Sequence, residues 1–176
     1  MKLLQLAEVD LTVRERLMKQ GQLSGVYHPE MELVHRENAK SLRNMIEEIG
    51  FPGISKVGKE ANEAAWLIVQ HSIAEPQMMM DFYQLMSKNE SDVERKHLAY
   101  LYDRIQYFQG KPQRYGTQMN SDGNIYPVAD RELLNELRSQ YDLPAISQDD
   151  LNRIDPVEQI KYIENQNPDY VIWRNS

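Results

Sequence analysis

Three places in this chain combine side chains able to move a proton, hold an anion or read a polar group. They are Gln70-His71, Asp103-Arg104 and the run Pro112-Gln113-Arg114-Tyr115-Gly116-Thr117-Gln118. The run is the richest: almost every residue in it can donate or accept a hydrogen bond, and none is acidic. His71 is the one member of the set whose side chain exchanges a proton near neutral pH, so it is the first candidate for general acid or base. Tyr115 is the second, as a proton donor or a stacking surface. Arg104 can grip a carboxylate or phosphate through a forked contact. Gln70, Asp103, Gln113, Thr117 and Gln118 add donors and acceptors for a ligand, while Gly116 lets backbone come close to it. Each also has a plainer role: a hydrogen-bonded structural histidine, an Asp–Arg clamp, and glutamines that satisfy loop backbone.

Other chemistries are poorly provided for. The chain has no cysteine, which removes disulfides, thiolate metal sites and a cysteine nucleophile. His28, His35 and His97 show no His-Glu-x-x-His spacing, so a metal site would need long-range convergence; neither metal nor cofactor is expected. No nucleotide-binding loop, serine elbow or paired-acid motif is present. With 20 Lys and Arg against 27 Asp and Glu, the net charge is -7 and the pI about 5.1. A nucleic-acid or acidic-membrane partner needs a basic footprint, so neither is expected. The apolar start of the chain is interrupted by Glu8 and Asp10 too early for a signal peptide, and no apolar run approaches the ~20 residues that span a bilayer. The expected location is cytoplasmic.

The elements that must hold these residues read as helices. At 176 residues, one ordinary domain can bury a core without staples. Leu3, Leu6, Val13, Leu17 and Met18 mark a first helix over 2–20, with Asp10 to Thr12 able to cap a new start. After a turn at His28-Pro29, Ala39, Leu42, Met45, Ile46 and Ile49 mark a helix from about Leu33 that stops at Gly50. From near Gly58 through His71, Val57, Ala61, Ala64, Ala65, Ile68 and Ser72 form a narrow face of small and apolar residues, which predicts close approach to another helix; Trp66 and Val69 widen its apolar surface. Glu75-Pro76 opens a helix whose Met78-Met79-Met80 cluster suits core filling. Ser91 and Glu94 form a capping-box pattern before a helix carrying Leu98, Leu101, Ile105 and Phe108 and closed by Gly110. On that helix Arg104 falls beside the apolar stripe and Asp103 nearly opposite. Residues 112–128 hold two prolines and the turn signal Ser121-Asp122-Gly123-Asn124, predicting a short β-hairpin or ordered loop. A helix from Asp130 to about Tyr141 follows, with Leu133, Leu134 and Leu137 inward.

The three motifs, Gln70-His71 after Ala64-Ala65-Trp66-Leu67, Tyr100-Leu101-Tyr102-Asp103-Arg104, and Pro-Gln-x-Tyr-Gly-Thr-Gln at 112–118, occur here in one order. In this they resemble a family of bacterial domains of unknown function. The likeness covers roughly 37–143, and Gly50-Phe51-Pro52 stands where that family often has Gly-Trp-Pro. It implies a shared site without naming a reaction.

Together these readings predict a mainly α protein of five to six helices in orthogonal or bundle-like packing. One helical domain is expected over 1–146, with a C-terminal extension over 147–176. The leading functional expectation is a pocket protein, an enzyme of hydrolase or transferase type with His71 as general acid or base. Its ligand would be a small polar or anionic group: a metabolite, a peptide end or a modified side chain. The alternative is an interaction or regulatory module of the immunity type, using the acidic surface and the apolar tail Tyr170-Val171-Ile172-Trp173, through which a homodimer could form.

Overall fold

The computed structural model describes residues 2–23, 27–120, 122–160 and 173. Among them are eight α-helices, two short 3-10 turns and no strand, so the fold is mainly helical. The chain divides into two compact units, Met1–Val93 and Glu94–Ser176.

The first unit holds α1 (Lys2–Lys19), α2 (Pro29–Ile49), α3 (Ile54–Val57), α4 (Lys59–His71) and α5 (Pro76–Lys88). The small-residue face of α4 has the predicted consequence: Ala61, Ala64, Ala65, Ile68 and Ser72 are all buried, and α4 touches α1, α2, α3 and α5. Met78, Met79, Phe82 and Met86 fill the core beside them. Two expectations change. Helix α1 is not broken at Asp10, whose fully buried carboxylate turns to side chains on other helices and caps no new start; Met18 is exposed. Helix α2 begins at Pro29, where a missing amide proton costs nothing, with His28 Nδ1 accepting from the Glu30 amide at 3.2 Å. Its buried line is Met31, His35, Asn38, Ala39 and Leu42, while Ile49 is exposed.

The connections of this unit are tied by charge and shape. Glu75, at the start of α5, accepts from Arg36 at 2.8 Å and Arg43 at 3.0 Å, fixing the turn that follows His71. Ser91 does not cap the next helix; it lies in a 3-10 turn, Glu90–Asp92. The neighbouring Asp92 carboxylate instead accepts from the amide and hydroxyl of Ser55, at 2.7 and 2.8 Å, holding the first turn of α3. A Cβ on Gly53 would lie 1.9 Å from that carboxylate, so only glycine fits.

The second unit holds α6 (Arg95–Phe108), α7 (Leu134–Gln140) and α8 (Gln148–Leu151). Leu98, Leu101, Ile105 and Phe108 are buried as their spacing predicts, but Asp103 is fully buried too and Arg104 half-exposed, reversing the expected order. Helix α7 starts later than predicted because the Asp130 side chain accepts from the amides of Glu132 and Leu133, forming a turn before it. In 112–128 no strand forms. Ile125 bridges both Met119 and Ile154, and Gln113 bridges Val128, so pairing is shared among isolated contacts. Residue Ser121 of the predicted turn lies outside the described residues, while Asn120 accepts from the Gly123 amide at 3.0 Å.

The C-terminal segment, expected to be apolar and to pack on the domain or a partner, contributes to a core of the second unit. Ile154 packs with Ile125, Val128 and Leu134, and Ser147 caps α8 by accepting from the Asp150 amide at 3.1 Å. Trp173 is buried, its ring stacked on Phe108 with centroids 5.1 Å apart. Tyr170, Val171 and Ile172 lie outside the described residues.

Candidate functional site

In the first unit, three helices bring one ionisable side chain each to a single point. Asp10 comes from the middle of α1, His35 from α2 and His71 from the last turn of α4. His71 Nδ1 lies 2.9 Å from Asp10 Oδ1, and His35 Nε2 lies 3.3 Å from Asp10 Oδ2. The imidazole rings are tilted by 42° to each other with centroids 5.3 Å apart. Tyr27 stacks on His35 and its hydroxyl is hydrogen-bonded to His35 Nδ1. Burial alone would push the Asp10 carboxyl up, but the close contacts and charge of His35 and His71 outweigh it and hold Asp10 well below the usual carboxylate range.

The two contacts to Asp10 differ in quality. The His71 contact has hydrogen-bond geometry; the His35 contact is within ion-pair reach but misaligned. Asp10 Oδ2 and His35 Nε2 are thus buried polar atoms with no hydrogen-bond partner among the described residues. His71 is the accessible member, its side chain 17% exposed against 1% for Asp10 and 5% for His35. An imidazole whose Nδ1 hydrogen-bonds a carboxylate carries its proton on that nitrogen, leaving Nε2 as the basic one. Gln70, beside it, is buried.

In the second unit the loop motif wraps a carboxylate. Asp103 Oδ1 accepts from the amides of Arg114 (2.8 Å) and Tyr115 (3.0 Å); Oδ2 accepts from the amide and hydroxyl of Thr117, both at 3.0 Å. Burial pushes this carboxyl up to about 6, against the pull of the same donors. Gln113 is fully buried and serves the loop's own backbone: its amide nitrogen donates to the carbonyls of Tyr126 (2.7 Å) and Gln118 (3.0 Å), and its oxygen accepts from the Gln118 amide (2.8 Å). Arg138 completes the clasp, donating to the carbonyls of Tyr115 at 2.6 Å and Pro144 at 2.7 Å.

Of the residues expected to meet a ligand here, Asp103 and Gln113 therefore organise the loop from inside. Tyr115 is buried with Tyr102 and Tyr141 against its ring. Arg104, Thr117 and Gln118 are half-exposed; Arg104 donates to the Gln118 side chain at 3.3 Å and lies over the Phe108 ring. Gly116 and Thr117 line a cleft of about 320 Å³ together with Tyr100, Met119, Arg138 and Arg153.

The family model of a family of unknown function matches residues 1–152, which is most of the chain. The chain belongs to DUF6624. The match begins ahead of the 37–143 stretch carrying the motifs, and so takes in Asp10 and His35 as well as His71. No curated protein and no solved structure is significantly similar to this DUF6624 member.

Sequence reasoning missed Asp10, His35 and Arg138. The signal for the first two was present: Asp10 stands in helical register with Leu3, Ala7 and Leu17, and His35 with Met31, Ala39 and Leu42. An ionisable residue in line with a buried stripe must find a partner inside. Arg138 gave a weaker signal: of the expected stripe Leu133, Leu134 and Leu137, only Leu134, four residues before it, is fully buried, and Leu133 is exposed.

Proposed function

We propose that this protein is a pocket enzyme, of hydrolase or transferase type, whose working centre is the Asp10–His35–His71 cluster. Its substrate is a small polar or anionic group: a metabolite, a peptide end or a modified side chain. The observation that carries the reading is a partly exposed imidazole held at 2.9 Å by a carboxylate that is itself fully buried. A base oriented through its second nitrogen in this way is the arrangement that general acid–base chemistry needs. His71 gives or takes the proton, Asp10 fixes its tautomer, and His35 with Tyr27 fixes Asp10. In the second unit, Arg104, Thr117 and Gln118 are half-exposed, whereas Asp103 and Gln113 are buried and engaged in the loop.

The interaction-module reading drew on the apolar tail, and one of that tail's aromatic residues, Trp173, is engaged with Phe108 of its own unit. This favours the pocket reading. The test is a thermal-shift screen of the metal-free full chain against acidic metabolites, phosphoesters and short peptides, followed by hydrolysis assays on each stabilising compound. Hits and turnover should disappear in His71→Gln while its melting temperature stays near the parent's. Hits that survive both His71→Gln and Asp10→Asn would sink the assignment.

A further inference from the structure

We propose that Asp10, His35 and His71 bind a divalent transition-metal cation of the zinc class. The inference rests on the reading that this cluster is the working centre, and it supplies that centre with a cofactor. Two imidazoles and a carboxylate, with no thiolate, make a donor set suited to zinc, iron(II) and their neighbours.

The spacing fits. One ligand atom from each residue lies within 4.8 Å of the others, and the two contacts to Asp10 measure 2.9 and 3.3 Å. Ligand atoms around a tetrahedral ion, each bonded at ~2.0–2.1 Å, sit roughly 3.3 Å apart. The 2.9 and 3.3 Å contacts fall on different Asp10 oxygens, and side-chain rotation that brings the set in from its 4.8 Å outer separation closes it on a cation.

Polar satisfaction points the same way. Asp10 Oδ2 and His35 Nε2 are buried side by side without a hydrogen-bond partner among the described residues. Buried polar atoms are rarely left so, because each costs free energy in proportion to its lost hydration. A cation between them satisfies both at once. Tyr27 supplies the outer support such a site requires: its hydroxyl engages His35 Nδ1, which directs Nε2 inward as the ligand atom. Partial exposure of His71 leaves a side of the cluster open, as in zinc sites that keep a position for water or substrate. With the cation bound, His71 is a ligand, and the water held on the cation becomes the group that loses a proton.

The test uses the full chain, stripped by dialysis against a chelator and titrated calorimetrically with Zn²⁺, and with Mn²⁺ and Mg²⁺ for comparison. One Zn²⁺ per chain is expected, with a rise in melting temperature. Loss of an outer-sphere partner typically weakens such sites ~10–100-fold, so Tyr27→Phe should fall in that range and His35→Gln should exceed it. Circular dichroism of each variant establishes that it is folded. If His35→Gln misfolds, Co²⁺ absorption of the unmodified chain reads the site directly, through bands of a nitrogen- and oxygen-ligated tetrahedral ion. No saturable binding, binding unchanged by folded His35→Gln, or Mg²⁺ matching Zn²⁺ would overturn the assignment. The two proposals fail separately. Absent Zn²⁺ binding leaves the acid–base reading to its screen on metal-free protein, and Zn²⁺ binding with no small-molecule hit on either the metal-free or the Zn²⁺-loaded chain removes the substrate class while keeping the cation site.

Discussion

Asp10 and Asp103 are both fully buried, yet their surroundings drive them in opposite directions. Asp10 faces two imidazoles, whose attraction more than offsets its lost hydration; Asp103 faces amides and a hydroxyl, which do not. The difference has a measurable pH signature. The Asp103 carboxyl sits at about 6 in the fold against an ordinary 3.8, so the folded chain holds its proton more tightly than the unfolded chain. Its titration contributes stability that is fully present below about pH 4 and is lost as pH rises through about 6. The unfolding free energy of the parent relative to Asp103→Ala should therefore fall by roughly 3 kcal/mol between about pH 4 and about pH 7. Denaturant titrations at the two ends decide it, and a difference that is flat or grows with pH would mean that the loop amides outweigh burial.

At the scale of elements, the loop over 112–118 owes its shape to three side chains aimed at its own backbone, from Asp103, Gln113 and Arg138. Replacing Gln113 by Leu keeps much of the volume but strands the Tyr126 and Gln118 carbonyls and the Gln118 amide. A cost on the order of 3 kcal/mol is expected from urea unfolding. Gly116→Ala should cost about 1–2 kcal/mol, because φ is +64° and the added methyl would meet Ile146 Cδ1 at 3.1 Å. The helices were legible in the sequence because their cores repeat: Leu98, Leu101, Ile105 and Phe108 declare one face, and the alanines of α4 another. The loop's hydrogen-bonding character was legible too, but its direction was not. Asp103 was placed on the outer side of α6 by apolar periodicity, which counts an aspartate as solvent-facing whatever the backbone opposite it needs. The inward register of Asp10 and His35 was legible on their own helices, but their meeting with His71 was hidden for a related reason. They meet through three helices far apart in sequence, and spacing rules see only ligands that share one element.

For the molecule as a whole, the acidic balance is the broadest constraint. A net charge of -7 disfavours the clustered cations that displace counterions from a phosphate backbone, and the expected outcome of fluorescence anisotropy with labelled duplex DNA is no binding at about 0.1 M salt. Salt-sensitive binding would reveal a basic face that the overall charge conceals. Among the described residues no helix is long and apolar enough to cross a membrane. Family membership extends over the first unit and into the second as far as residue 152, so both the histidine cluster and the loop motif fall within it.

The buried stacking of Trp173 on Phe108 has one more consequence. The chain has two tryptophans, and the other, Trp66, lies on α4, so each unit carries its own intrinsic fluorophore. Trp66→Phe leaves emission from the second unit alone, and Trp173→Phe leaves that of the first. Whether the histidine cluster and the loop unfold in one cooperative step then becomes an optical measurement on unlabelled protein.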